Sequence, residues 1–179
     1  MIDASRAGAV LTVDLNALAN NYAFLKGQLS GDTICAAVVK SDAYGLGLEP
    51  IAVRLADEGC DSFFVALMDE AISLRTILKQ RNKEAEIYLL NGVAEGSESD
   101  LEQFDITPVL NSLAEIERWS AYAKLNGNRR AILNVDTGMS RLGLDTRELN
   151  TFAEKPKLAD GIEITYVMSH LACADDRAS

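Results

Sequence analysis

Short apolar runs alternate with helical patterns along this chain, and that alternation limits the folds it can adopt. The apolar runs suited to strands cover residues 34–39, 62–67, 86–90, 106–110, 131–135 and 162–169. Segments with helical spacing separate them, so consecutive strands are joined by helical crossovers. Such connections favour parallel strand pairing with right-handed crossovers. The sequence therefore predicts an α/β fold built on one parallel sheet.

The spacing of these units is typical of a parallel (β/α)8 TIM-type barrel, but the chain is too short to complete one. A full barrel needs about 250 residues, or roughly 31 for each unit. Residues 34–179 provide about six of the eight strands, and an open arc leaves apolar strand edges uncovered. We expect a strand at 10–15 and a helix within residues 1–33, followed by a partial barrel at 34–179. The chain is thus expected to be a fragment of a larger protein.

Composition excludes several classes of partner and site. The chain is 48% hydrophobic and 25% charged, as in ordinary soluble proteins. Its formal charge of −10 argues against nucleic acid or an anionic membrane surface as a partner. No apolar run approaches the roughly 18 residues of a membrane span. Cys35, Cys60 and Cys173 are odd in number and lack metal-ligand spacing, so we expect no metal site and a cytoplasmic location.

Lys40 stands where chemistry is expected in a barrel of this kind. It follows the apolar run 34–39, which reads as a strand buried on both faces. Polar residues at the carboxyl ends of barrel strands face the mouth that holds the active site. A desolvated lysine there is suited to Schiff-base chemistry with an aldehyde cofactor. The alternative is a rim lysine whose stem lies along the barrel while its charge stays in water.

Three motifs stand out: VVKSDAYGLG at 38–47, DTGMSRLG at 136–143 and SHLACAD at 169–175. They resemble motifs of bacterial alanine racemases. They occur in the family's order and at about its spacing, and the resemblance spans essentially the whole chain. One departure is Leu46, where many members of the family carry histidine. That change removes one polar group near the site and leaves the lysine and tyrosine in place.

The resemblance implies a role for four residues. Lys40 would bind pyridoxal 5'-phosphate covalently and act as a base on one face of the substrate. Tyr44 would help to hold the cofactor phosphate, His170 would support the cofactor ring, and Arg141 would lie close to the substrate carboxylate. The residues alone leave other roles open: Tyr44 as a partly buried cap, His170 as a structural histidine, and Arg141 in a surface salt bridge to a neighbouring aspartate.

The resemblance also implies an activity for the full-length protein. That activity is the interconversion of L-alanine and D-alanine, which supplies D-alanine for peptidoglycan, by a head-to-tail homodimer. In the family the barrel continues into a β-rich C-terminal domain, and the second acid–base group is a tyrosine from the partner subunit. The 179-residue chain alone is therefore expected to be inactive. A racemase of broader amino-acid specificity and a non-catalytic pyridoxal-phosphate carrier of the same barrel family remain as alternatives.

Overall fold

The fold is a layer of helices packed on one parallel sheet, in a computed structural model that describes residues 8–176. The strands are β1 (Ala37–Val38), β2 (Ser62–Val65), β3 (Glu86–Leu89), β4 (Thr107–Leu110), β5 (Arg129–Asn134) and β6 (Ile162–Met168). The helices are α1 (Leu15–Lys26), α2 (Lys40–Gly45), α3 (Leu48–Asp57), α4 (Met68–Gln80), α5 (Glu98–Gln103), α6 (Leu113–Asn126) and α7 (Thr146–Glu154). A 3₁₀ turn, Pro156–Ala159, precedes β6.

The six strands lie side by side in chain order, and every neighbouring pair is parallel. The register places Ala37 beside Phe63 and, further along the sheet, Val109 beside Ile132. No pairing joins β1 to β6 within residues 8–176, so the sheet is an open arc. These features confirm the predicted incomplete parallel barrel.

Local sequence signals set the helix boundaries. Asp14 caps α1 by accepting a hydrogen bond from the backbone N–H of Asn16 at 2.8 Å. Ser112 and Asp145 cap α6 and α7 in the same way. Gly127 follows α6 with φ of +89°, a conformation that glycine adopts without strain and that ends the helix.

Most of the core lies between the sheet and the helices. Its largest fully buried side chains include Trp119, Phe63, Leu74 and Leu78. Burying each such side chain stabilises the fold by about 1.5–3 kcal/mol relative to leaving it exposed. Trp119 also stacks on Tyr122, with ring centroids 5.5 Å apart. A smaller cluster on the opposite, inner face of the sheet is centred on three residues, Tyr88, Val109 and Ile132.

Two sequence-based expectations were wrong. Residues 10–14 form no strand: Leu11 is 78% exposed, and no described strand pairs with this segment. The run 34–39 is not buried on both faces, because β1 covers only two residues at the edge of the sheet. Val39 is buried there, whereas Val38 is 45% exposed and faces a cavity.

The described residues contain neither a helix able to cross a membrane nor a metal-binding cluster of side chains. Among residues 8–176, no helix is both long and apolar enough to cross a membrane. The same described residues contain no cluster of three or more histidine, cysteine or acidic side chains placed to hold a metal ion.

Candidate active site

A cavity of about 580 Å³ lies at the carboxyl ends of the strands and brings the four predicted site residues together. Lys40 reaches it from the segment after β1, and Tyr44 lines it from the same turn. Arg141 lines it from the loop after β5, and His170 from the segment after β6. Residues far apart in sequence therefore meet at one place because parallel strands end at the same edge of the sheet.

Lys40 begins a turn of unusual hand. The next four residues, 41–44, have φ between +52° and +58°, so α2 is a left-handed helical turn. Such a conformation costs roughly 1–2 kcal/mol per residue for L-amino acids. The Gly47 N–H donates to the Asp42 carbonyl oxygen at 2.9 Å, and the Leu48 N–H donates to Asp42 Oδ1 at 2.6 Å. The turn leaves Lys40 half-buried at the cavity wall.

Glu70, in the first turn of α4, also holds this segment. Its Oε1 accepts from the Ser41 N–H at 2.7 Å, and its Oε2 accepts from the N–H groups of Ala66 and Leu67 at 2.8 and 3.0 Å. Burial raises the pKa of the Glu70 carboxyl, but these three hydrogen bonds and the charge of Lys40 outweigh it, so the net pKa is below the ordinary value. Glu70 could not be identified from the sequence, since only the fold brings α4 beside the Lys40 turn.

The loop that carries Arg141 is closed at its base. The Leu144 N–H donates to the Asn134 carbonyl oxygen at 2.8 Å, and the Asp136 N–H donates to the Leu144 carbonyl oxygen at 3.0 Å. Asp136 Oδ1 accepts from the N–H groups of Ser140 and Gly138, both at 2.9 Å. These bonds lower the pKa of the Asp136 carboxyl. Asp136 thus shapes the loop.

The alternative roles of Arg141 and Tyr44 do not match the geometry. Within the described part of the chain, no ion pair joins Arg141 to Asp136 or Asp145, its two nearest acidic neighbours in sequence. Tyr44 is 63% exposed, so it does not cap the barrel as a partly buried side chain. His170 is exposed at the cavity rim.

Two buried asparagines under the cavity were also missed. Asn134 ends β5, is 3% exposed and lines the cavity. Its Nδ2 donates to Oδ1 of Asn111, which directly follows β4. Asn134 Oδ1 has no hydrogen-bond partner among the described residues. A sequence signal did exist, because each asparagine lies at the end of an apolar strand, where a polar side chain is costly unless it is bonded.

The charge of the cavity favours an anionic ligand. Lys40 and Arg141 line it, and no aspartate or glutamate is among its described lining residues. This local surplus of positive charge contrasts with the net charge of −10 for the chain. A phosphate or carboxylate is the kind of group that these side chains bind.

A parallel α/β arc with a lysine and an arginine at its strand ends defines a barrel protein with an anion-binding site. Comparison with known proteins identifies the family. The family described as "Alanine racemase, N-terminal domain" matches residues 13–179, so the chain belongs to this family.

Curated relatives and solved structures agree with that assignment. The catabolic alanine racemase of Agrobacterium fabrum is 48% identical over 174 residues, which cover 97% of this chain and 44% of that protein. The alanine racemase of Brucella abortus is 43% identical over 171 residues, covering 95% of this chain and 42% of the relative. The chain therefore spans less than half the length of these relatives.

The structure of alanine racemase from Bartonella henselae with covalently bound pyridoxal phosphate superposes with a TM-score of 0.86 at 41% identity. That match covers 93% of this chain and 48% of the Bartonella chain. The Bacillus anthracis enzyme with bound L-Ala-P gives a TM-score of 0.79 at 26% identity, covering 92% of this chain and 42% of that one.

Proposed function

We propose that the whole protein interconverts L-alanine and D-alanine with pyridoxal 5'-phosphate bound covalently through Lys40. The observation that carries this proposal is the shared cavity, in which Lys40, Tyr44, Arg141 and His170 meet with no described carboxylate on the wall. Family membership and the named relatives support it. The carrier alternative is less favoured, because a non-catalytic carrier would not be expected to have the loop motif at 136–143 that contains Arg141.

The residues present fit this cofactor. Its aldehyde requires an amine, which Lys40 supplies at the cavity wall. Its phosphate requires hydrogen-bond donors, and the Tyr44 hydroxyl is one of them. His170 lines the same cavity from the segment after β6 and would support the cofactor ring. The Bartonella henselae relative, whose structure holds covalently bound pyridoxal phosphate, supports the same assignment.

The chain's own residues divide the reaction between them. When bound, the cofactor withdraws electrons from the substrate Cα and so makes its proton acidic. The Nζ of Lys40 would take or return that proton on one face of the substrate. The Arg141 guanidinium would pair with the substrate carboxylate and so orient the substrate relative to Lys40. Racemisation also needs an acid–base group on the other face, which we assign to a partner subunit in a homodimer.

We propose a cytoplasmic enzyme whose D-alanine serves peptidoglycan synthesis. We also propose that residues 1–33 form a lead-in to the barrel and that residues 34–179 carry the cofactor lysine. The 179-residue chain alone, with one face of the site unsupplied, is predicted to be inactive in racemisation.

Covalent capture tests the proposal directly. The chain is incubated with pyridoxal 5'-phosphate, reduced with borohydride and mapped by mass spectrometry. We expect the label on Lys40, and its loss in Lys40→Ala. Lys155→Ala is the matched control, because Lys155 is an exposed lysine at the end of α7 and should not affect capture. Labelling spread evenly over the lysines would contradict the proposal. An alanine racemisation assay of the chain alone should show no turnover.

A further inference from the structure

We propose that Glu70 is the positioning residue for Lys40, since its carboxylate holds the left-handed turn that presents the lysine to the cavity. This inference rests on the proposed function of Lys40. Glu70 itself is absent from the described cavity lining, so it acts through the backbone of the turn and not by contact with a ligand.

The left-handed turn must be stabilised by contacts from outside it. Four successive non-glycine residues in the left-handed region are unfavourable for L-amino acids and persist only where the surroundings determine them. The Ala43 N–H donates to the Val39 carbonyl oxygen at 3.0 Å, which closes the turn internally. The Ser41 N–H, at the residue next to Lys40, points out of the turn and donates to Glu70 Oε1. Glu70 therefore fixes the first strained residue.

The same carboxylate connects the turn to the rigid part of the barrel. Its second oxygen accepts from the N–H groups of Ala66 and Leu67, at the end of β2 and the start of α4. Ala66 also lines the cavity, at the end of the strand next to Lys40's own. One side chain thus sets the position of the Lys40 turn relative to the neighbouring strand end.

Only a carboxylate satisfies all three donors. Both of its oxygens accept hydrogen bonds, whereas a glutamine amide has one acceptor and one donor end. In Glu70→Gln, the amide –NH₂ must face either the Ser41 N–H or the pair from Ala66 and Leu67. The isosteric variant therefore loses one side of the connection without removing any packing volume.

The chain offers a matched control in the same helical turn. Asp69 precedes Glu70, is exposed and carries the same charge. Asp69→Asn removes one negative charge at the start of α4 while the three contacts of Glu70 remain. A difference between Glu70→Gln and Asp69→Asn thus reports the contacts and not the charge.

Amide hydrogen exchange and covalent capture form the test. In Glu70→Gln we expect exchange of the Ser41 amide to become about tenfold faster, as for a lost hydrogen bond to a charged group. Capture of pyridoxal 5'-phosphate at Lys40 should fall several-fold, while Asp69→Asn leaves both measurements as in the wild type. Unchanged exchange in Glu70→Gln, or equal effects in the two variants, would overturn the proposal.

A titration of the wild-type chain covers the case in which Glu70→Gln does not fold. The amide shifts of Ser41, Ala66 and Leu67 should move together as Glu70 is protonated, at a pH below the ordinary range for glutamate, since its pKa is lowered. Asp42, Glu49 and Asp69 share the adjacent surface, and Lys40 faces Glu70 from the turn, so Asp42→Asn, Glu49→Gln and Asp69→Asn together identify the titrating group. Independent titration of the three amides would overturn the proposal. Failure of the wild type to capture cofactor at Lys40 would count instead against the proposed function.

Discussion

Asn134 donates a hydrogen bond from Nδ2 to Oδ1 of Asn111 at 2.8 Å and so joins the ends of β5 and β4 beneath the cavity. Asn111 in turn donates from its own Nδ2 to the carbonyl oxygens of Leu90 and Val109, both at 2.9 Å. Because carbonyl oxygens only accept, the bonds to Leu90 and Val109 fix the orientation of the Asn111 amide. Its Oδ1 then faces Asn134, so the Asn134 amide must present its Nδ2 there. The three strands β3, β4 and β5 are thereby connected at their carboxyl ends by side chains as well as by the sheet.

Replacing Asn111 with leucine is expected to destabilise the fold by about 1–3 kcal/mol, the cost of leaving buried polar groups unpaired. The substitution removes the donor to the Leu90 and Val109 carbonyls and leaves Asn134 Nδ2 without its acceptor. Urea denaturation followed by circular dichroism measures the change. Asn150→Leu, at an exposed position of α7, should stay within about 0.5 kcal/mol of the wild type. Equal stability of the two variants would contradict this account.

Replacing Arg75, at the opposite end of the sheet, is expected to reduce stability more strongly. Its buried guanidinium donates to the carbonyl oxygens of Phe104 and Ala85 at 2.9 and 2.8 Å, and also to that of Asp105. Arg75→Met keeps much of the apolar stem but leaves three carbonyls without a donor. We expect a loss of about 3 kcal/mol or more in the free energy of unfolding, measured by urea denaturation.

The control for Arg75 is Arg81, the residue that directly follows α4. Arg81 pairs with Glu49 at 2.5 Å, but both side chains are about half exposed. Exposed ion pairs contribute about 0–1 kcal/mol, so Arg81→Met should change stability by no more than that. A similar loss in both variants would show that the buried carbonyl contacts of Arg75 are not the cause.

Gly143→Ala should disturb the loop that carries Arg141. The new Cβ would lie 2.7 Å from the Asp136 backbone nitrogen, and φ at this position is +104°. Gly138→Ala separates the two effects, because φ there is +123° but no atom lies within 4 Å of the new Cβ. We expect a backbone penalty of about 1–3 kcal/mol in both variants. Only Gly143→Ala should lose further stability through the collision with the Asp136 backbone, as measured by urea denaturation; equal stability of the two variants would contradict the predicted collision.

Stability should depend on pH through Glu115. Burial raises the pKa of its carboxyl above the ordinary 4.5, against the opposing effects of the Asn111 N–H and the Arg118 charge. The unfolded chain therefore releases this proton at lower pH than the folded chain does. Stability from this group is highest below pH 4.5 and falls as pH rises through the folded pKa. Glu115→Gln should flatten that part of the stability–pH curve, and an unchanged slope would rule Glu115 out as its source.

Part of the candidate site could be predicted from sequence motifs. Each motif follows an apolar run, and its residues line one cavity; they are Lys40, Tyr44, Arg141 and His170. Glu70 was not predictable, because its partners are backbone N–H groups that any sequence provides. Asn111 and Asn134 were missed for a related reason, since their pairing depends on the register of β4 against β5.

The sequence by itself determined the order of strands and helices, their parallel pairing and the motifs of the candidate site. These follow from periodicity, capping residues and short local patterns, which act over a few neighbouring residues. Only the tertiary structure decided that 10–14 is not a strand, that Val38 faces a cavity and that Lys40 begins a left-handed turn anchored by Glu70. Each of these features depends on contacts between residues that are far apart in the chain, and short local sequence patterns do not specify such contacts.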